Sequence, residues 1–243
     1  MSGPGIRPAI RRAAAPRAAL VAAGLMLAGC GSEGAGPLGD LAGLVAASVR
    51  GAPDTPTEAA LPPPGPIAPG VLDTSDRPMI ALTLPEVSRL IMTAAPGAGD
   101  YLNFQDQNRR GIRMLGGAVA GTYGFGVDLL AVRHGVDDPI ARPTPLADWP
   151  GQVDREYQYR LRDLENYSIT VACVFDVVVR ETIEVIEAHD TVRVAETCTN
   201  QARSFTNTYW VEPATGTIRR SAQWTGPTIR PVTVELLRPA ASG

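Results

Sequence analysis

Lysine is missing altogether: all 22 basic residues of the 243-residue chain are arginine. Histidine occurs twice, cysteine three times, and aromatic residues make up only 5% of the chain. Each scarcity excludes something. The arginines are scattered and interleaved with acids, so there is no basic stripe of the kind that tracks a phosphate backbone, and nucleic-acid binding is disfavoured. Exclusive use of arginine fits a GC-rich coding bias. His134 and His189 form no spaced cluster with the cysteines, so neither a zinc site nor another metal site is expected. The chain also lacks the Gly-x-Ser-x-Gly elbow, the phosphate-binding P-loop, the dinucleotide fingerprint and the His-Glu-x-x-His helix, and no cofactor is expected. No apolar run approaches the ~20 residues of a spanning helix, so any membrane contact must be made by lipid.

What is present begins at the N-terminus. Arg7, Arg11, Arg12 and Arg17 precede an apolar run from Ala18 to Ala28, and no acid appears before Glu33. Basic residues followed by a short apolar run are the order of a secretory signal. Leu27-Ala28-Gly29-Cys30 resembles the bacterial lipobox, in which the cysteine thiol is acylated and becomes the new N-terminus. Removing residues 1–29 leaves 214 residues carrying a net charge of −7, enough for one domain and a tether. Gly31, rather than Asp, follows the cysteine, which favours sorting to the outer membrane.

From Cys30 to Arg77 the chain is rich in Pro, Gly and Ala, with Leu61-Pro62-Pro63-Pro64-Gly65-Pro66 short of backbone donors. This reads as a tether, within which Leu38–Val49 has helical spacing. A β-rich domain is expected over 78–239, followed by a tail, 240–243. Met79–Leu84, Tyr101–Phe104, Gly111–Leu115 and Ala118–Tyr123 read as strands, and Pro85–Met92 as a short helix or edge segment. Gly124–Leu130 reads as a break before a Pro-rich loop. In the second half, Tyr157–Leu161, Ser168–Val179, Glu181–Glu187, Thr191–Thr197, Phe205–Val211, Ile218–Trp224 and Val232–Leu237 are rich in β-branched and aromatic residues. Short turns between them imply an all-β antiparallel meander closing into a barrel-like or sandwich arrangement, with one or two short helices.

Cys173 and Cys198 form an even pair in a translocated domain, which points to a disulfide. The bond requires Cα atoms within about 7 Å, so either Thr191–Cys198 pairs directly with Ser168–Val179 or the sheet curls to bring them together. Asp128, Asp137, Asp138, Asp176, Glu184 and Glu196 are raw material for a catalytic carboxylate pair, at a density any acidic secreted domain would show. The turn Pro213–Thr217 suits a type I turn with Gly216 left-handed, pairing Pro213 with Thr217 and Trp210 with Arg220. In that register Trp210, Arg220 and Trp224 share one face. Such a face can stack on sugar rings, or it can be core or protein interface.

Cys173, Arg180-Glu181-Thr182-Ile183-Glu184-Val185, Glu196-Thr197-Cys198, Phe205–Val211, Ser221–Pro227 and Glu235-Leu236-Leu237-Arg238-Pro239 together resemble the YjbF/GfcB lipoprotein family, as does Gly124–Leu130. The resemblance covers about Pro78–Pro239. It implies an all-β outer-membrane lipoprotein associated with exopolysaccharide or group 4 capsule production, with no established catalytic residues. A large outer-membrane β-barrel export protein is the partner it implies, with the polysaccharide as a further ligand. The expected function is therefore non-enzymatic, with the lipid-anchored domain facing the periplasm. A periplasmic glycan-modifying hydrolase is the competing reading.

Overall fold

A short segment with apolar residues on one face of its pleat must take that face out of water, and among the described residues twelve strands follow one another. The computed structural model describes residues 65–240 apart from 85–86, 96–98, 161–164 and 228–230. Cys30, the leader, residues 31–64 and the helical stretch expected at Leu38–Val49 lie outside the described residues.

The strands are β1 (Met79–Leu84), β2 (Val87–Ala94), β3 (Tyr101–Gln105), β4 (Gly111–Leu115), β5 (Ala118–Tyr123), β6 (Leu129–His134), β7 (Gln152–Arg160), β8 (Asn166–Val185), β9 (Glu187–Thr199), β10 (Ser204–Val211), β11 (Ile218–Gln223) and β12 (Val232–Arg238). The only helical turns among the described residues are 3-10 turns at Pro69–Thr74 and Leu146–Asp148. Three segments differ from the sequence reading: Val87–Ala94 is an interior strand rather than a helix or edge segment, the stretch after Gly124 resumes regular structure as β6, and Ser168–Val179 and Glu181–Glu187 belong for the most part to one strand, β8.

Each strand pairs antiparallel with its chain neighbours, and β12 returns to pair with β1. Spatial order thus equals chain order around a nearly closed up-and-down barrel, which leaves few free edges. The one gap lies between β5 and β6. There side chains replace the ladder: the Leu129 amide donates to the Thr122 hydroxyl at 2.9 Å, and that hydroxyl donates to Asp128 at 3.0 Å.

Inward-pointing side chains fill the barrel. Phe205 stacks on Trp224 with ring centroids 4.3 Å apart, and Tyr157 meets both edge-on at 5.5 and 5.3 Å. The loop between β6 and β7 closes one end. Its Ile140 packs against Val192, Val194, Tyr209 and Val211, and its Leu146 amide donates to the Pro213 carbonyl at 2.9 Å. Gly216 makes this fit. It sits at φ 72°, and a Cβ there would lie 2.0 Å from the Thr144 carbonyl oxygen.

Cys173 and Cys198 are directly opposed in the β8–β9 ladder, and their sulfurs are bonded at 2.06 Å. Direct pairing, not curling, brings them together. Both are fully buried. Replacing both with Ser should destabilise the domain by about 3 kcal/mol, the chain-entropy value for a loop of this size. Intact mass under non-reducing conditions should run two hydrogens below the reduced form, and free thiols in protein taken from the periplasm would refute the bond.

The second half of β8 does something the alternation of its first half does not announce. Val177 opposes Val194 and Val179 opposes Arg193, so Val178 is an extra residue, a β-bulge. Before it, odd-numbered residues such as Cys173 face inward; after it, Ile183 and Val185 face outward. The long hairpin end therefore lies over the outer surface of β10, β12 and β1, where Ile183 and Val185 pack with Met79, Ala81, Trp210 and Leu237. Ile67, Val71 and Leu72 join this outer cluster, so the chain is held against the barrel before β1 begins.

Candidate functional site

The hairpin of β10 and β11 carries the residues expected to form a recognition surface. Trp210 does oppose Arg220. The turn reaches that pairing by another route: the Glu212 amide donates to the Thr217 carbonyl at 2.9 Å, Val211 opposes Ile218, and an irregularity at Arg219 restores the register. Pro213 therefore does not pair with Thr217, because the one-residue difference is absorbed inside β11.

The expected shared face of Trp210, Arg220 and Trp224 needs correction. Trp224 lies beyond the last residue of β11, where its ring is 3% exposed inside the barrel, stacked on Phe205. Trp210 is outside the barrel, yet only 8% exposed, because the bulged end of β8 covers it. Its indole N–H donates to Glu181 at 2.8 Å, and the Arg220 guanidinium lies 5.7 Å from its ring centre. Arg220 in turn donates to Glu235 at 3.0 Å, and Glu235 also pairs with Arg89 at 2.8 Å. Tryptophan and arginine act here as a clasp between hairpin and wall. This is the packing arm of the sequence reading.

A denser polar constellation sits inside. Arg155 is 2% exposed and makes a bidentate contact with Asp138, Nε to Oδ2 at 2.6 Å and Nη2 to Oδ1 at 2.9 Å. Its Nη1 reaches Glu196, 2.8 Å from Oε2 and 2.7 Å from Oε1. Asn207 and Tyr209 also donate to Glu196, at 2.7 and 2.9 Å, and His134 Nδ1 lies 2.8 Å from Asp138. Burial alone would raise the Asp138 pKa, but the hydrogen bonds from His134 and Arg155 outweigh it and hold the carboxyl well below its ordinary range. Burial pushes Tyr157 up to about 12. Burial also works against the Arg155 charge, but Glu196 and Asp138 hold it firmly protonated.

Of the six carboxylates singled out in the sequence, only Asp138 and Glu196 meet, and they meet through a guanidinium. Asp128 instead closes the Gly-rich turn, accepting from the Gly124 and Phe125 amides at 3.1 and 3.3 Å. Asp137, Asp176 and Glu184 are exposed. Glu196 also approaches both cysteine sulfurs, with ligand atoms within 4.8 Å, but those sulfurs are spent in the disulfide and cannot be metal ligands as thiolates. Arg155 was missed in the sequence. Its signal was parity: in Gln152–Arg160 it occupies the same phase as Val153, Tyr157 and Tyr159, where a charge is costly unless paired.

The comparisons with known proteins agree with one another. No curated protein matches the chain. The crystal structure of the hypothetical lipoprotein YmcC from Escherichia coli (K12) superposes with a TM-score of 0.62 at 21% identity, covering 72% of this chain and 91% of that one, a likeness of fold. The family model described as group 4 capsule polysaccharide lipoprotein gfcB, YjbF matches residues 63–237. By that match the chain belongs to the YjbF family of capsule polysaccharide lipoproteins.

Proposed function

We propose that the protein is an outer-membrane lipoprotein, anchored through Cys30 and facing the periplasm, that assists exopolysaccharide or capsule assembly and export without catalysing a reaction. It does so by binding a partner outer-membrane β-barrel export protein or the glycan. The family match over residues 63–237 carries this reading. The use made of the interior supports it: aromatic rings fill the barrel, and the two buried acids Asp138 and Glu196 hold Arg155. A filled barrel leaves its outer faces and rims as the surfaces for partners.

Affinity capture of the lipidated protein from membranes tests the reading, with co-purification of an outer-membrane barrel or of polysaccharide as the expected result. Complementation of a deletion strain separates it from a hydrolase. Carboxylate-to-amide variants that fold should all restore export, whereas one folded but inactive variant would indicate an enzyme. Cys30→Ser should leave uncleaved precursor or soluble protein. Unchanged outer-membrane fractionation of that variant would refute the anchor.

A further inference from the structure

The outer face of β3, β4 and β5 carries a feature that the clasp and the interior do not use. Along β3 and β4 the odd-numbered residues point outward, opposite to the buried Phe104 and Ile112. Tyr101 opposes Leu115, Asn103 opposes Arg113, and Arg113 opposes Gly121 on β5. Tyr123 opposes Gly111, and its hydroxyl crosses that strand to donate to the Phe104 carbonyl at 3.1 Å. A Cβ on Gly111 would lie 2.1 Å from the Tyr123 ring, so the glycine is what lets the ring lie across the sheet. Tyr101, Arg113 and Tyr123 thus descend diagonally, each step one strand over and two residues along. Strand spacing and rise make each step about 8 Å and the diagonal about 16 Å long.

The chemistry of this diagonal is specific. Tyr101 is 42% exposed and is the only aromatic among the large apolar residues exposed in the described chain. The Arg113 guanidinium lies 5.9 Å from its ring centre and donates through Nε to Asn103 at 3.3 Å. Among the described residues no carboxylate pairs with Arg113, in contrast to Arg89, Arg110, Arg155 and Arg220. A fixed guanidinium with spare donors, set against an exposed ring and flanked by an amide, suits a carboxylate carried on a flat, partly apolar ring.

Resting on the polysaccharide-assisting reading, we propose that the outer face of β3–β5 binds an acidic polysaccharide, with a sugar ring packed on Tyr101, its uronate carboxylate on Arg113, and the neighbouring stretch of glycan passing over Tyr123. The net charge of −7 left once residues 1–29 are removed makes the rest of the molecule a poor surface for a polyanion, so the contact is confined to this diagonal.

The test uses the full chain in a mild detergent with polygalacturonate as the acidic probe and dextran as the neutral one. Polygalacturonate should bind, more weakly as salt rises, and dextran should not. Tyr101→Ala and Arg113→Gln should each weaken binding about tenfold or more with unchanged melting temperature, because both side chains are exposed. Ile91→Ala, on the outer face of β2 and off the diagonal, should bind as the parent does. Absence of polygalacturonate binding by the parent, equal binding of dextran, or full binding by both diagonal variants would overturn the proposal. A deletion strain fully complemented by Tyr101→Ala, with binding lost, would leave the export role standing and remove this face from it.

Discussion

Replacing Arg155 with Leu should destabilise the protein by about 3–5 kcal/mol, because it strands two buried carboxylates rather than merely losing a contact. Asp138 and Glu196 both lie at or below 1% exposure, and the Arg155 guanidinium is shared between them. The Asn207 and Tyr209 donors would remain on Glu196 and His134 on Asp138, but none of them replaces the guanidinium the two acids share. For a domain of this size the loss corresponds to a fall in melting temperature of roughly 6–20 °C. Thermal unfolding of the two proteins side by side checks it, and a shift under about 2 kcal/mol would mean that water or rearrangement relieves the two acids.

The same site fixes the pH dependence. Asp138 has a folded pKa below its unfolded value of about 3.9. Its contribution is therefore fully present above about pH 4 and is lost as the pH falls through the folded value. In Arg155→Leu, Asp138 keeps its contact with His134 but loses the bidentate guanidinium, so its carboxyl is held down less than in the parent. The gap in stability between parent and variant should be widest near neutrality and should narrow as the pH falls below about 5. A gap independent of pH would show that the cost of the substitution is packing and not charge.

Legibility in the sequence followed the physics of each element. The β-branched and aromatic runs Phe205–Val211 and Val232–Leu237 marked β10 and β12 to within a residue at each end, because such side chains suit a pleated, buried strand. Closure into a barrel was not decided by the strands. It depends on β12 returning to β1, a contact between the two ends of the domain that no local pattern encodes. β8 was divided in the sequence near Arg180, where its apolar phase shifts; the shift is real, but its cause is the Val178 bulge inside one continuous strand. That single inserted residue also undid the expected recognition face. It turns Ile183 and Val185 outward onto Trp210, and a pairing argument confined to β10 and β11 has no view of a hairpin arriving from β8. Arg155 was concealed for a related reason: its partners Asp138 and Glu196 are 17 and 41 residues away.

Trp210→Ala should cost about 3–5 kcal/mol, the range for truncating a large buried aromatic. The indole is the centre of the outer cluster, touched by β1 and β12 beneath and by the β8 hairpin end above. Its removal opens a void that a sheet wall cannot collapse to fill, and leaves Glu181 without its indole donor. The damage should be local first. The hairpin end, residues 181–187, is fastened by this cluster and by the Arg220 bond to the Glu184 carbonyl at 2.9 Å, so protease cleavage and hydrogen exchange there should rise before the barrel unfolds. Trp210→Phe separates packing from polarity. It keeps most of the apolar contact and loses only the bond to Glu181, which is partly exposed, so it should cost about 1 kcal/mol. Either variant, if folded at the growth temperature, should still support export, because the clasp holds the wall and the proposed glycan face is on β3–β5. A Trp210→Ala protein of unchanged stability that had lost binding to barrel or glycan would reverse the assignment, making Trp210 part of a recognition surface and the β8 hairpin end a cover that lifts from it.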